Sequence, residues 1–296
     1  MPFIGYEECV RRLRREVDAG RPIIGAGAGT GISAKFAERG GVDLIIIYNS
    51  GRYRMAGRGS LAGLMPYGDA NAIVVDMARE VLPVVDDTPV LAGVCGTDPF
   101  RLMPVFLAEL KAMGFDGVQN FPTVGLIDGR FRAMLEETGM GIAHEVEMIR
   151  QAHALDMVTC PYVFDEDTAE RFTGAGADVV VAHVHTTVGG SVGVAGAALS
   201  LDEAVERVQA MHDAAKTVNP DVLVLCHGGP IAQPDDARYV LDRTSGVAGF
   251  FGASSIERLA TEPAIESQAR RFKSLRMTPP TAAPTAPRRK PGRQGA

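Results

Sequence analysis

Eight apolar, β-rich runs recur along this chain, and each is followed by a segment with helical character. Most of the runs are almost continuously apolar, which is typical of parallel strands buried on both faces. Strand and helix alternating eight times over roughly 250 residues predict an α/β protein, a single (β/α)8 TIM barrel over residues 1–275. An open, doubly wound sheet is the alternative. The runs cover residues 22–27, 43–48, 89–95, 116–121, 157–163, 178–184, 222–227 and 247–252.

Helix start signals support this division of the chain. Residues 6–20 form an extra helix before the first strand, and we expect it to plug the lower end of the barrel. Asp98-Pro99 offers an N-cap followed by a proline at the first helical position. Ser200 with Glu203, and Ser254 with Glu257, fit the capping box.

Three connections are unusually long or rich in glycine: residues 49–68, 122–141 and 185–199. Long ordered loops usually carry function. In a barrel all three would leave the carboxyl ends of strands and cover one mouth. We expect residues 49–68 to act as a lid that responds to a ligand, because their glycines permit hinge motion.

Composition excludes several classes of protein. The chain is 46% hydrophobic and 22% charged, with a net charge of −6, so neither a membrane protein nor a nucleic-acid-binding domain is indicated. No apolar run reaches the length of a membrane span, and the first residues lack a signal-peptide pattern. Four cysteines without a CxxC pair predict reduced thiols and a cytoplasmic location.

The last segment, residues 276–296, is rich in proline, alanine and threonine and carries five basic residues but no acid. Such a composition cannot bury enough apolar surface to fold, so we expect a disordered tail. A solvated extension is favoured over a nucleic-acid or membrane contact.

The glycine-rich stretch GAGAGTG at residues 25–31 does not fit a dinucleotide fingerprint, because no frame gives GxGxxG. A phosphate loop of the Walker type is excluded by the lack of Gly-Lys-Ser/Thr. We interpret the stretch as a tight turn between a strand and a helix.

Arginines follow the second strand, where a ligand's carboxylate could be bound. Arg52, Arg54 and Arg58 lie on the glycine-rich loop beside Asn49 and Ser50. Arginine binds carboxylate or phosphate with two parallel hydrogen bonds. The loop therefore predicts an anion site, although each arginine alone could simply face water.

Proton-transfer candidates lie near other strand ends. His183 and His227 each end a strand, and side chains there point into a barrel's site. Glu145 follows a turn near the mouth and is the first candidate for a general base, with His183 second. A metal pair at His183 and His185 is disfavoured because no acid cluster accompanies it, and Cys95 is better explained as a buried thiol. Lysines are absent from strand ends, which disfavours a Schiff base.

The last two strand ends predict a phosphate site. The turns HGGP and GASS consist of small residues, so backbone N–H groups could converge on an anion. The predicted ligand-binding residues at these turns and at the fourth strand end are Asn120, His227, Gly228, Gly229, Gly252, Ser254 and Ser255.

Several long motifs resemble one family. NSGRYRMAGRGSLAGLMPYGDAN, LEETGMG, AHVHTTVGG, NPDVLVLCHGGPI and GFFGASSIERL are similar to the phosphoenolpyruvate hydrolase-like TIM-barrel proteins, also called TIM-barrel signal-transduction proteins. The resemblance spans roughly residues 3–275 and implies distant kinship to the phosphoenolpyruvate mutase/isocitrate lyase group. That kinship would match Ser50-Gly51 to the Ser-Gly that contacts the substrate's acid group.

Two positions depart from the patterns that the resemblance implies. The acidic magnesium motif after the third strand reads GVCGTDP here, with Asp98 as its single acid. His185 stands where the family pattern AHMG has glycine. A divalent metal such as Mg²⁺ therefore stays an open expectation.

Together the residues and the resemblance predict an enzyme for a small phosphorylated or carboxylated metabolite, acting by phosphoenolpyruvate hydrolase-like or lyase chemistry. The alternative is a non-catalytic barrel that senses a ligand or regulates a partner. The expected partner is the small molecule itself, and both the enzyme and the non-catalytic barrel are compatible with a homo-oligomer.

Overall fold

The computed structural model describes residues 4–195 and 199–277 and has the α/β barrel architecture that the sequence predicts. All strand pairs are parallel, in the order β5-β4-β3-β2-β1-β9-β8-β7-β6. The strands are β1 (Ile23–Gly27), β2 (Leu44–Ile47), β3 (Val90–Gly93), β4 (Gly117–Gln119), β5 (Val158–Thr159), β6 (Tyr162–Val163), β7 (Val179–His183), β8 (Leu223–His227) and β9 (Gly249–Gly252).

The barrel closes at its fifth run of extended chain, residues 157–163. Strand β5 pairs with β4, whereas β6 pairs with β7. Cys160 and Pro161 separate the two short strands, and proline cannot donate to a ladder. One run of chain therefore pairs with β4 through its first half and with β7 through its second half, so the two ends of the sheet meet there. This confirms the eight predicted runs and rules out the open sheet.

The helices lie between the strands as the alternation predicts. Those in the described residues are α1 (Tyr6–Asp18), α2 (Gly31–Arg39), α3 (Asn49–Met55), α4 (Ala70–Val81), α5 (Met103–Met113), α6 (Gly129–Glu137), α7 (Ile142–Ala154), α8 (Glu166–Gly174), α9 (Leu201–Val218), α10 (Pro234–Leu241) and α11 (Arg258–Lys273). Short 3₁₀ turns cover Ser60–Leu64, Leu82–Val84 and Val124–Leu126.

The chain divides into two compact units, Met1–Glu262 and Pro263–Ala296. The first unit contains every strand and the start of α11, whereas the described part of the second continues α11 and ends at Met277. The predicted disordered tail falls, from residue 278 onward, outside the described residues. Among residues 4–195 and 199–277 we find no helix with the length and hydropathy of a membrane span.

Helix α1 lies across the amino ends of the strands, as expected for a plug. Its Cys9 and Leu13 are fully buried. Just before it, the backbone N–H of Ile4 donates to Asp116 over 2.9 Å, and at its first residue the Tyr6 hydroxyl donates to Asp178 over 2.7 Å. Because these aspartates directly precede β4 and β7, they fix the helix to the bottom of the barrel.

One predicted capping box is confirmed: Ser200 and Glu203 bond each other's backbone N–H groups at the start of α9. The other two start signals were wrong. Asp98 accepts the N–H of Phe100, and α5 begins only at Met103. Glu257 accepts the N–H of Gly29 instead of bonding the backbone of Ser254, and α11 begins only at Arg258. The carboxylates of Asp98 and Glu257 are thus each bound by a partner distant in the sequence.

Candidate active site

A small cavity lies at the mouth of the barrel, where the carboxyl ends of the strands meet. It encloses about 30 Å³, room for one or two water molecules. Parts of the long connections after β2, β4 and β7 close over it. Its walls are formed by Tyr48, Ser50, Ser60, Leu61, Phe121, Leu126, Tyr162, His183, Thr186, Thr187, His227, Ala253 and Ser254.

His227 faces this cavity as a neutral ring. Its Nδ1 lies 2.7 Å from the carbonyl oxygen of Phe251, and a carbonyl only accepts, so Nδ1 carries the proton and Nε2 is left as an acceptor. Burial disfavours the charged ring and lowers the pKa of His227 to about 4. The side chain therefore stays uncharged at neutral pH.

His183 stands beside it in register on β7, with the two ring centroids 4.7 Å apart. Burial, with His227 next to it, holds the pKa of His183 well below its usual value. Within the described ranges its Nδ1 has no hydrogen-bond partner. A neutral imidazole with an unused ring nitrogen in a polar cavity can take up a proton from a ligand.

Hydroxyl groups form most of the remaining polar wall. The hydroxyls of Tyr48 and Tyr162 lie 3.5 Å apart, and burial raises the pKa of Tyr162 well above its usual value. Ser60 and Ser254 share a hydrogen bond of 3.0 Å, and Ser50 donates to the Ser60 carbonyl over 2.5 Å. The wall residues thus include hydroxyls and neutral rings but no acid, lysine or arginine.

The turn Ser60–Leu64 separates this central cavity from a larger neighbour of about 520 Å³. Asn49 donates to the Gly63 carbonyl over 2.9 Å, which ties the turn to α3. The Asn49 Oδ1 atom is buried without a partner in the described chain. The larger cavity lies among the loops after β2, β3 and β4 and includes Cys95, Thr97, Asp98 and Arg101 in its wall.

Cys95 is half-buried and lies in the loop after β3, in the wall of the larger cavity, so the expected fully buried strand thiol was wrong. Desolvation raises the pKa of Cys95, so the thiolate is disfavoured. Its sulfur lies 3.6 Å from the hydroxyl of Thr97, and Asn71 fixes its backbone.

The structure does not bring the predicted arginines to either cavity. Arg54 is fully buried against Glu257, with Nε 3.0 Å from Oε2 of that carboxylate. Arg52 pairs with Glu80 at 3.1 Å on the outer side of α3, and Arg58 donates to the carbonyl of Gly57. Carboxylates of the chain itself occupy the two arginines that we had expected to bind the ligand.

Glu145, the first candidate for a general base, lies outside the wall of the central cavity. It is fully buried, and its carboxylate accepts hydrogen bonds from the Val124 N–H and the Asn120 Nδ2, each over 2.8 Å. Desolvation raises the pKa of Glu145 to about 7. Asn120 also accepts from the backbone N–H of Tyr162 over 2.7 Å, so both side chains hold loops in place.

The glycines of the predicted phosphate site serve backbone packing. Gly228 and Gly229 have φ values of 85° and 55°, which favour glycine, and a Cβ on either would collide with the carbonyl oxygen of His185 or Val184. The Gly229 N–H already donates to the His185 carbonyl over 2.8 Å. Close carbonyl oxygens are unfavourable for phosphate, and one of the amides that we predicted to bind it is already engaged.

The rest of that predicted set is divided between two places. Ser254 lines the central cavity, but Ser255 lines a separate apolar cavity of about 670 Å³ beside Ile24 and Phe250. A Cβ on Gly252 would lie 2.5 Å from Ile256, which explains that glycine by packing. Glu257 also places a buried carboxylate near this turn, which is unfavourable for an anionic ligand.

The donor set does not fit a magnesium site. The residues that the structure describes contain no group of three or more His, Cys, Asp or Glu side chains that could hold a metal. Asp98, the remaining acid of the expected motif, accepts from Asn71 over 2.9 Å and pairs with Arg101. Mg²⁺ prefers several oxygen ligands with carboxylates among them, and this mouth offers mainly hydroxyls.

Sequence reasoning missed Tyr48, Tyr162, Ser60 and Glu257. The two tyrosines each lie at or near the end of a predicted strand, which is the signal that singled out the histidines. Ser60 and Glu257 reach their positions only through tertiary contacts, because their partners are distant in sequence.

The fold and the site together define a (β/α)8 barrel protein with an enclosed polar cavity at its carboxyl face. The chain belongs to the phosphoenolpyruvate hydrolase-like family, whose model matches residues 8–275. This confirms the resemblance that the sequence motifs indicated.

Two curated relatives come from Solanum lycopersicum. The ToMV susceptible protein tm-1(GCR26) is 61% identical over 268 residues, covering 90% of this chain and 35% of the relative. The ToMV resistance protein Tm-1(GCR237) is 60% identical over 268 residues, again with 90% and 35% coverage. The chain therefore spans about a third of the length of these relatives.

Solved structures share the fold at low sequence identity. Oxaloacetate acetylhydrolase matches with a TM-score of 0.57 and 17% identity over 96% of this chain and 93% of that one. Phosphonopyruvate hydrolase in complex with oxalate and Mg²⁺ gives 0.54 and 18% over 90% and 87%. 2,3-Dimethylmalate lyase, a member of the PEP mutase/isocitrate lyase superfamily, gives 0.54 and 14% over 94% and 92%.

Proposed function

We propose that this protein is a hydrolase or lyase for a small carboxylated metabolite of the 2-oxo acid type, bound at the central cavity. Family membership and the shared fold support the reaction class. The observation that carries the proposal is the pair of neutral histidines, His183 and His227, in a wall of hydroxyl groups. This arrangement supplies a proton acceptor and several hydrogen-bond donors in a site shielded from water.

A carboxylate is favoured over a phosphate ester. The wall residues carry no cation, and the Arg54 charge beneath Tyr48 is already paired with Glu257. Hydroxyl donors can hold carboxylate groups, each of which carries a single charge, whereas a phosphate group places two charges on one set of oxygens and needs cationic partners in a dry site. We therefore assign carboxylate binding to Ser50 and the tyrosine hydroxyls.

The roles of the side chains follow from their atoms. His183 accepts the proton at its unused ring nitrogen, and His227 offers Nε2 as a hydrogen-bond acceptor for a substrate hydroxyl. Tyr162 stays protonated and donates to developing negative charge on an oxygen. Glu145 is left as a residue that positions the loops behind the site.

Substrate entry requires an opening. A cavity of about 30 Å³ cannot hold a three- or four-carbon acid. Lifting the turn Ser60–Leu64 would break the hydrogen bonds from Ser50 and Asn49 and join the cavity to its larger neighbour of about 520 Å³. This supports the lid that we proposed for residues 49–68.

The donor set does not fit Mg²⁺, so the proposed chemistry uses no metal.

A cytoplasmic location is part of the proposal. It is supported by four free cysteines, of which Cys9, Cys160 and Cys226 are buried.

Turnover and binding with a panel of oxalate, oxaloacetate and phosphoenolpyruvate test the proposal. We expect oxalate to bind and a 2-oxo acid to be consumed without added metal. His183→Gln should lower turnover about a hundredfold or more, whereas His144→Gln, on the exposed face of α7, should not. Equal activity of the two variants, or a substrate that binds only with Mg²⁺, would contradict the proposal.

A second candidate is a non-catalytic, ligand-sensing barrel with a role in signal transduction. The names of the tomato relatives, which refer to ToMV resistance and susceptibility, favour it. Binding of oxalate without turnover of any panel member would support this candidate, and a homo-oligomer would be compatible with both.

A further inference from the structure

We propose that Glu257 is a positioning residue, an internal carboxylate that occupies an anion site made by the Gly29 N–H and Arg54 and thereby holds the cavity wall in place. The part that concerns ligand binding rests on the function proposed above. The occupied anion site itself does not depend on that function.

The glycine-rich turn at residues 25–31 contains the first half of this arrangement. Glu257 accepts the N–H of Gly29 over 2.5 Å, and Glu80 accepts the N–H of Gly31 over 2.7 Å. Free N–H groups at a helix start attract anions, and here two carboxylates of the chain take that place. The N–H groups of this glycine-rich turn are thus already occupied by carboxylates of the chain itself.

Helix α3 supplies the second half. The other oxygen of Glu257 lies 3.0 Å from Nε and 2.9 Å from Nη2 of Arg54, and the other oxygen of Glu80 lies 3.1 Å from Arg52. Each glutamate therefore bridges the glycine-rich turn to one arginine of the same helix.

The two bridges differ in solvation. The side chains of Arg54 and Glu257 are 0% and 1% exposed, whereas those of Arg52 and Glu80 are 35% and 41% exposed. Water screens the outer pair, which makes its contribution small. In the dry inner pair, removal of one partner leaves an uncompensated buried charge, which is strongly unfavourable.

The inner bridge lies directly behind the cavity wall. The Arg54 guanidinium is 5.3 Å from the centroid of the Tyr48 ring, and Tyr48 lines the cavity. A Cβ on Gly29 would collide with the carbonyl oxygen of Gly51, so the turn touches α3 through backbone next to Ser50. Movement of Arg54 or of the turn would therefore displace Tyr48 and Ser50 together.

Chemical rescue tests the anion site without reference to catalysis. Glu257→Ala removes the carboxylate and leaves space that acetate can enter. We expect a lower melting temperature that rises again with acetate but not with chloride, and an acetate-dependent shift of the Gly29 amide NMR signal. Glu80→Ala is the matched control and should show little change in either measurement. An absence of acetate rescue, with the variant folded, would overturn the anion site.

Oxalate affinity tests the link to the cavity. We expect Glu257→Ala to bind oxalate about 10- to 100-fold more weakly, with recovery in acetate, because the loss of one well-placed hydrogen bond to a charged ligand has an effect of about this size. Glu257→Gln, which keeps the shape but loses the charge, should show the same direction and serves if the alanine variant does not fold. Unchanged oxalate affinity despite a lower melting temperature would reduce Glu257 to a structural role and overturn its positioning of the wall.

The two proposals fail in distinguishable ways. If the wild-type protein does not bind oxalate, the proposed function fails, while the acetate rescue and the Gly29 signal still decide the anion site. If the wild type binds oxalate and Glu257→Ala binds it equally well, the inference fails while the proposed function stands.

Discussion

At the scale of single residues, His183 and His227 are uncharged because both rings are buried away from water. In the unfolded chain His227 titrates near its ordinary pKa of 6.5, but burial lowers the folded value to about 4. Between these values the unfolded state binds more protons than the native state, so acidification favours unfolding. The contribution of this ring to stability is thus present above pH 6.5 and is lost as the pH falls toward 4.

We therefore predict that the unfolding free energy falls on acidification over that window, by about 3 kcal/mol from His227 alone. Urea unfolding of wild type and His227→Gln at several pH values measures this. The difference in unfolding free energy between wild type and His227→Gln should become smaller as the pH decreases. A difference independent of pH would mean that the ring is not neutral and buried as described.

For Glu145 we predict that stability depends on pH in the opposite direction. Burial raises its pKa from 4.5 to about 7, so the native state holds the proton more tightly than the unfolded state. The stability linked to this shift is fully present below pH 4.5 and is lost as the pH rises through about 7.

The stability advantage of wild type over Glu145→Gln should therefore shrink by about 3 kcal/mol between pH 4.5 and pH 7. Because Glu145 lies outside the cavity wall, Glu145→Gln should retain most of its turnover at a pH where it is folded. A loss of about a hundredfold or more would restore Glu145 as the general base.

At the scale of elements, the 3₁₀ turn Ser60–Leu64 decides whether the cavity is open. A Cβ on Gly63 would collide with the Ser50 hydroxyl and lie 2.9 Å from Phe121. Gly63→Ala should therefore displace the turn while leaving the barrel intact.

The expected result is faster proteolysis within residues 56–68 and faster modification of His183 by diethyl pyrocarbonate, read by mass spectrometry. Gly174→Ala is the control, since its nearest neighbour would be 3.9 Å from the new Cβ. Oxalate should slow both reactions in the wild type if the turn is a lid. Equal rates in Gly63→Ala and the control would show that the turn does not gate the cavity.

At the scale of the whole molecule, helix α1 stabilises the closed barrel from below. Leu13 is 1% exposed and packs in the main core, whereas Val17 on the same helix is 39% exposed. Leu13→Ala should lower the unfolding free energy by about 2–5 kcal/mol, because it removes buried contacts and leaves a cavity. Val17→Ala should lower the unfolding free energy far less, and denaturant unfolding measures this free energy for both variants. A similarly small decrease in both variants would mean that α1 is not part of the barrel core.

Local patterns in the sequence predict the barrel. Its eight apolar runs and the helical segments between them express local periodicity, and burial on both faces selects such runs in any parallel sheet. It also placed His183 and His227 at the mouth, since a residue that ends a barrel strand must lie there. The family followed from long motifs that require no knowledge of contacts.

Contacts between distant parts of the chain determine which polar groups are free to act. Arg54, Arg52 and Glu145 have the chemistry of a binding site, but each is engaged by a partner from a distant part of the chain. The Gly228–Gly229 turn likewise packs against the carbonyl oxygens of residues 184 and 185. Residue type shows what a side chain can bind, whereas hydrogen-bond partners distant in sequence determine what it does bind, and those exist only once the barrel has closed.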